Sequence, residues 1–373
     1  MSAWDDWLTA RAGAREDAGL TRRLRPRAAG DTTIDLAGND YLGLSADPRV
    51  RAAAASAAEQ YGAGAGASRL VTGTLDLHAT LESELAAWTG HEAALVFSTG
   101  YHANLGVITA LADRSVRVVS DAHVHASLID AIRLSRAAVT VVPHGDVSAV
   151  ATALAEATEE RVLVVAESIY SVLGDAAPLT ELAELCAEAG ALLVVDEAHG
   201  VGVHGPGLVT SLGLAGLPHV VVTATLSKSL GAQGGAVLGS SALREHLVNT
   251  ARPFIFDTGL APAPTAGALA ALRIMQSEPE LGRRVLSRVR HLADTLGVVA
   301  PDGAVLSIPM SSPQAAVAAQ AAALEASLRV GCFRPPSVPD GVSRLRVTAS
   351  AGVAEDDWER AVATLQQIVK EHS

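Results

Sequence analysis

Apolar residues fall in compact blocks through the middle of the chain rather than alternating one by one with polar residues. The blocks are ALVF (94–97), RVVSD (117–121), VTVV (139–142), VLVVA (162–166), LLVVD (192–196) and HVVVT (219–223). Short continuous apolar runs rich in valine, bounded by turn residues, predict strands buried on both faces. Helical spacing fills the intervals. Leu77, Leu81, Leu85 and Trp88 share one helix face that closes at Gly90, and ELAELCAEAG (181–190) ends on a glycine stop. The alternation predicts an α/β domain with a largely parallel sheet. Ligands of such sheets sit at the carboxyl ends of the strands. There the sequence places Glu167, Ser168 and Ser171, then Asp196, Glu197 and His199, then Thr223, Thr225 and Lys228.

The flanks have a different character. Residues 1–30 predict a polar helix carrying Trp4, Trp7 and Leu8, followed by the basic stretch TRRLRPRAAG. Residues 31–50 begin as a short strand and end in a turn and a helix start, with Asn39 and Tyr41 placed to face a site. The turn Ser98-Thr99-Gly100 follows a strand and opens a helix, and free N–H groups at a helix start can hold an anion. Beyond residue 250 come a loop into a long alanine-rich helix, a second helix, strands near 304–309, the proline-rich FRPPSVPDG, the strand SRLRVTAS and an amphipathic helix at 355–370. This pattern predicts an N-terminal arm (1–40), a large α/β domain (41–250) and a smaller α+β domain (251–373).

Composition narrows the class. The net charge of −12 argues against non-specific binding to nucleic acid or to an anionic membrane. Two cysteines far apart, Cys186 and Cys332, exclude a disulfide framework or a CxxC zinc site and fit a reducing compartment. Asp5 and Asp6 interrupt the start of the chain where a signal peptide has its apolar core, and no apolar run reaches the length of a membrane span. The expectation is a soluble cytoplasmic protein.

Lysine usage changes the picture more. The chain has two lysines, Lys228 and Lys370, among 28 Lys and Arg residues. Lys370 is near the C-terminus. Lys228 follows a valine-rich strand, among Thr225, Ser227, Ser229, Gly231, Gly234 and Gly235. Arginine cannot replace an amine that must lose a proton or form an imine, because its pKa stays above about 12. Lys228 is therefore a candidate covalent or acid–base catalyst, the alternative being a strand-end lysine that reaches solvent.

Three motifs are decoys. DEAH (196–199) lacks the GxxxxGK[ST] loop that a nucleotide box requires. GVGVHG (200–205) is followed by Pro206 and Gly207 rather than a helix, and the glycines at 62, 64 and 66 follow a helix rather than a strand. His123 and His125, at i and i+2, do not share a helix face, which disfavours a two-histidine metal site there. What remains is a strand-end lysine, an aspartate at a neighbouring strand end, a histidine three residues beyond it, and hydroxyls near an anion turn. Pyridoxal phosphate needs each of them. Its aldehyde forms an imine with lysine, its pyridinium nitrogen stays protonated against a carboxylate, and its phosphate takes hydroxyls and a helix N-terminus. A Schiff-base aldolase working through lysine alone needs neither the aspartate nor the phosphate turn.

NDYLGL, SRLVTGT, the LH…LE helix, FSTGYHANLG, SDAHVHASL, VVDEAHGVGVHGPG, TLSKSLGAQGG, FIFDTGLAP and FRPPSVP together resemble the α-oxoamine synthases of the fold type I pyridoxal-phosphate superfamily. The resemblance runs from about residue 15 to the C-terminus. Each motif alone is modest; their order and spacing are specific. The resemblance implies a mostly parallel seven-stranded sheet with a smaller C-terminal α+β domain. It implies that Lys228 forms the imine with the cofactor and later moves the Cα proton. It also implies that Asp196 pairs with the pyridinium nitrogen, that His199 bonds the phenolic oxygen and that His125 stacks on the ring beside the substrate. Gly100 and Tyr101 would form the turn at the phosphate end, with Ser171 and Thr225 on the phenolic oxygen or phosphate. Arg346 would grip the amino-acid carboxylate, and Ser337 would line the substrate pocket, where many relatives have threonine. Arg22 is taken as the N-terminal substrate arginine, although relatives place theirs directly after a leucine and Thr21 follows Leu20 here. Thr258 would reach the phosphate of a partner subunit, since sites of this superfamily lie at a homodimer interface.

Within the family, the branch most resembled condenses L-alanine with a pimeloyl thioester, on coenzyme A or acyl carrier protein. Other members use glycine with acetyl or succinyl thioesters, or serine with a long acyl chain. A silent regulatory subunit typically lacks the lysine that this chain retains. No metal is implied.

Overall fold

The valine-rich blocks form strands because β-branched side chains pack well on a pleated surface. The computed structural model describes residues 2–18, 20–22, 24–335, 338 and 340–372. The strands are β1 (Ile34–Asp35), β2 (Ala93–Phe97), β3 (Val116–Asp121), β4 (Ala138–Val142), β5 (Arg161–Glu167) and β6 (Leu192–Asp196). They continue with β7 (Val220–Thr225), β8 (Gly235–Gly239), β9 (Val305–Pro309), β10 (Leu328–Arg329), β11 (Gly331–Phe333) and β12 (Arg344–Thr348). A seven-stranded sheet has the order β2-β8-β7-β6-β5-β3-β4. Only β8 runs antiparallel, to both β2 and β7. The expected seven-stranded, mostly parallel sheet is therefore present. A second sheet, β11-β12-β9, is antiparallel and belongs to the C-terminal part.

The central strands carry the site. β6 is buried from Leu193 through Asp196, and every residue of β7 is buried. The register opposes Glu167 to Asp196 and Asp196 to Thr223. Residues directly opposite in a sheet project to the same face, so these three form one row at the carboxyl end. The edge strand β4 leaves Val139 and Val141 exposed.

The helix predicted from Leu77 to Trp88 spans Asp76–Thr89 and ends at Gly90 with φ 74°, a left-handed C-cap. The sequence pattern did not reveal β8, because GAVLG has too few β-branched residues. Its glycine has a steric reason: a Cβ on Gly235 would lie 2.4 Å from the Thr99 carbonyl oxygen and 2.6 Å from Gly100 Cα.

Residues 1–33 and 34–373 form separate compact units. In the first, the helix Ala3–Asp17 starts at a Ser2–Asp5 capping box and buries none of its residues. In the second, the amphipathic helix expected at 355–370 spans Glu355–His372 and buries Trp358, Ala361, Val362, Leu365 and Ile368. We propose domain boundaries near residues 40 and 250, the latter because the strands beyond β8 join sheets other than the seven-stranded one. Among the described residues no helix is long and apolar enough to cross a membrane.

Candidate active site

The strand ends converge on a cavity of about 230 Å³ bounded by the loops after β2, β3, β5, β6 and β7. Lys228, Asp196, His199, His125, Gly100, Tyr101 and Thr225 line it together with Thr99, Asn104, Ser127, Glu167 and Ser227. Residues spread over 130 positions of sequence thus meet in one space.

Lys228 follows β7. Its Nζ lies 2.7 Å from Nε2 of His199, and Nδ1 of that ring lies 2.6 Å from the hydroxyl of fully buried Tyr41. Burial lowers the amine pKa to about 8; Asp196 and Glu167 oppose the shift, and Arg346 adds to it. Burial likewise holds His199 well below the usual imidazole value, reinforced by Lys228 and Arg346. The ring is neutral at pH 7, with one donor and one acceptor nitrogen. In the cofactor-free protein, an amine-selective electrophile should modify Lys228 with an apparent pKa near 8 rather than the ordinary 10.5. Peptide mass mapping across pH measures this directly. A midpoint at 10 or above would remove the claim that the site supplies a neutral amine.

Asp196 ends β6, and its two oxygens are separately engaged. Oδ2 accepts from Asn104 Nδ2 at 2.7 Å and Oδ1 accepts from the Ala198 N–H at 2.9 Å. Asn104 is oriented in turn, because Thr223 donates to its Oδ1 at 2.7 Å and its Nδ2 also reaches Ser127 Oγ at 2.8 Å. The same Ser127 hydroxyl lies 2.8 Å from Nδ1 of His125, the N-cap of the helix Ala126–Ser135. One chain of hydrogen bonds therefore sets both the carboxylate and the histidine. Glu167 lies beside them with a buried Oε1 that has no partner among the described residues. Burial, then the charge of Asp196, raises its pKa.

Gly100 opens the helix Gly100–Leu111, and Thr99 caps it by accepting from the His102 N–H at 3.0 Å. The first N–H groups of a helix have no partner inside it. A Cβ on Gly100 would lie 3.0 Å from Cβ of Thr225, so β7 approaches this turn closely. Tyr101 is 40% exposed, and its hydroxyl donates to Asp130.

Arg346, on β12, is buried, and its hydrogen bonds go to neutral oxygens: the Ser171 carbonyl at 2.9 Å, Asn39 Oδ1 at 3.1 Å and Thr348 Oγ1 at 3.4 Å. Ser171 thus meets the site through its backbone and is not among the residues lining the cavity. Asn39 and Tyr41 both reach the site, Tyr41 through His199 and Asn39 through Arg346. Thr258 is exposed and outside the cavity, Arg22 is exposed in the first unit, and Ser337 lies outside the described residues. Asn104 and Ser127 escaped the sequence reading. Their only signal was an asparagine among the apolar residues of a helix and a serine two positions after His125. Among the described residues no cluster of three or more His, Cys, Asp or Glu could hold a metal ion.

The contents of the cavity fit pyridoxal phosphate. An amine of lowered pKa, an oriented carboxylate, and a helix start crowded against a threonine hydroxyl surround a space of suitable size, and the sheet has the fold type I order. The fold and site define a fold type I pyridoxal-phosphate enzyme. Residues 31–365 match the family model described as aminotransferase class I and II. An 8-amino-7-oxononanoate synthase of Mycobacterium sp. (strain JLS) is 54% identical over 97% of this chain and 96% of its own length. That of Mycobacterium tuberculosis (strain ATCC 25177 / H37Ra) is 53% identical over 97% and 95%. Among solved structures, a serine palmitoyltransferase from S. paucimobilis with bound PLP superposes with a TM-score of 0.90 at 32% identity, covering 98% of this chain and 97% of that one. An 8-amino-7-oxononanoate synthase from Francisella tularensis gives 0.77 at 26% identity, covering 91% and 99%. The chain belongs to the class I and II aminotransferase family and, within it, to the 8-amino-7-oxononanoate synthases.

Proposed function

We propose that this chain condenses L-alanine with a pimeloyl thioester, on coenzyme A or acyl carrier protein, to give 8-amino-7-oxononanoate, carbon dioxide and free thiol in biotin synthesis. One carbon–carbon bond forms, the C–S bond of the thioester breaks, and the amino-acid carboxylate leaves as carbon dioxide. The observation that carries the reading is Arg346. It is a buried guanidinium whose bonded partners are all neutral, close enough to Lys228 to depress its pKa. A buried charge is stable only when paired, so Arg346 fits a carboxylate brought by the substrate.

Pyridoxal phosphate, when bound, supplies an aldehyde for the amines and a ring that takes up the electron pair left on the substrate carbon. The chain's residues do the rest. Lys228 holds the cofactor through its amine and, once displaced, takes the Cα proton, a role suited to its lowered pKa. Asp196, held by Asn104 and Ala198, keeps a proton on the ring nitrogen. His199, oriented by Tyr41, would bond the phenolic oxygen, and His125 on the cavity wall would cover the ring. The helix start at Gly100 and Tyr101, with Thr225, takes the phosphate. Ser171 supports Arg346 through its carbonyl, and Thr258 would complete the partner's phosphate site in a homodimer.

Arg346→Lys should raise the KM for alanine about tenfold or more and change kcat less, because an ammonium cannot form the planar double contact with a carboxylate. Steady-state kinetics at varied alanine measures it; an unchanged KM would remove Arg346 from the substrate. The activity itself is tested by mass analysis of products from alanine, glycine or serine offered with pimeloyl, acetyl, succinyl and palmitoyl thioesters. The TM-score of 0.90 with serine palmitoyltransferase gives serine with a long acyl chain as the second reading. Only alanine with pimeloyl thioester should yield the expected mass; product from serine and palmitoyl thioester would install the second reading.

A further inference from the structure

His144 lies in the turn after β4, outside the cavity, and makes two contacts with carboxylates. Its Nδ1 lies 3.0 Å from Asp121 Oδ1 at the end of β3, and its Nε2 lies 2.8 Å from Asp175 Oδ2 in the loop after β5. Only an imidazolium can donate through both nitrogens. The ring is stacked on His123 at 4.0 Å and meets Tyr170 edge-on at 4.3 Å. Asp121 also accepts from the backbone N–H groups of His123 and Gly145. The loops joined in this way are those that matter to the site. Two residues beyond His123 comes His125, on the cavity wall. Four residues before Asp175 comes Ser171, whose carbonyl holds the guanidinium of Arg346. Between the two loops, the N–H groups of His125 and Ser171 both act on the Glu167 carboxyl.

We propose that His144 is a positioning residue: bridged between Asp121 and Asp175, it locks the His125 loop to the Ser171 loop, and so sets the cofactor-covering ring and the carboxylate-holding arginine in one geometry. What those loops hold rests on the function proposed above; the bridge itself does not. Asp121, Asp175, His123 and Tyr170 are the titratable groups facing His144. Burial opposes its charge, but the hydrogen bonds to Asp121 and Asp175 prevail and raise its pKa to about 9. The raised pKa makes the bridge fully present below the ordinary imidazole value near 6.5 and lost as pH climbs through 9.

The test is a double-mutant cycle on the cofactor-loaded protein with His144→Ala, Asp175→Ala and the pair. Three quantities are read: the KM for alanine, the visible circular dichroism of the bound cofactor, and hydrogen exchange across residues 122–125 and 171–176. Each single variant should raise the KM about tenfold with a smaller change in kcat, weaken the dichroism and speed exchange in both loops. The double variant should be no worse than His144→Ala alone, because the two residues act as one unit. The Asp175 side chain is 41% exposed, so its removal reads the bridge even where His144→Ala does not fold. Raising the pH of the parent past 9 should speed loop exchange, and the Asp175 variant should show that rise at lower pH. A fall in melting temperature with KM, dichroism and loop exchange unchanged would reduce His144 to a packing residue and overturn the proposal, as would additive effects. Dichroism and exchange need no acyl substrate. A parent that fails to turn over pimeloyl thioester therefore sinks the function proposed above and leaves the bridge to be judged on these two readouts.

Discussion

Lys228→Ala should lose about four orders of magnitude in turnover, and the purified protein should lose the visible absorbance of a lysine-bound cofactor. The size of the loss follows from the absence of a substitute. Among the groups lining the cavity, His199 and His125 have pKa values pushed down by burial, Glu167 has its pKa pushed up, and no second amine is present. Lys228→Arg is the sharper control. It keeps a cation near Asp196 and Glu167 but cannot lose a proton, because the guanidinium pKa stays above about 12. Both variants should therefore be inactive for the same chemical reason, although only one changes the charge of the site. Both variants should retain cofactor through its phosphate, since the turn at Gly100 and the hydroxyl of Thr225 are untouched in both. Turnover above about a hundredth of the parent in either variant would mean that another group moves the proton.

The sequence made Lys228 visible because lysine is rare in this chain, and made Asp196 and His199 visible because they follow a fully apolar strand. The same logic located β3, β5, β6 and β7 within two residues, since strands covered on both faces tolerate few polar side chains; β4 was located too, but as an edge strand it leaves Val139 and Val141 exposed. What it could not supply was the partner of each group. Tyr41 and His199 are 158 positions apart and meet at 2.6 Å. Arg346 and Asn39 are 307 positions apart and meet at 3.1 Å. Such contacts depend on how the C-terminal sheet and the segment after β1 are brought to the large sheet, and periodicity contains no trace of that. Asn104 was hidden for a related reason. On its helix it is one polar residue among several, and its meaning appears only when β6 and β7 place Asp196 and Thr223 against it. β8 was hidden because it has few β-branched residues and because Gly235 answers to backbone crowding at Thr99 and Gly100 rather than to strand propensity.

Asp196→Asn should bind the cofactor and yet slow exchange of the alanine α-proton about a thousandfold, followed by NMR in deuterated water. The substitution keeps the shape and can keep the bond from Ala198, so the loop after β6 has no cause to move. It removes the negative charge that is proposed to hold a proton on the ring nitrogen. It also sets an amide NH₂ where Oδ2 now accepts from Asn104, and Asn104 cannot simply turn around, because Thr223 and Ser127 use its other contacts. The effect therefore has an electrostatic part and an orientational part, and a second variant separates them. Asn104→Ala leaves the Asp196 charge in place but frees its carboxylate on one side, so exchange should fall only about tenfold. A double variant near the level of Asp196→Asn alone would place both residues on one path to the ring nitrogen. Near-parent exchange in Asp196→Asn would instead mean that the carboxylate serves the fold at the end of β6 and that the electron pair on the substrate carbon is stabilised by other groups.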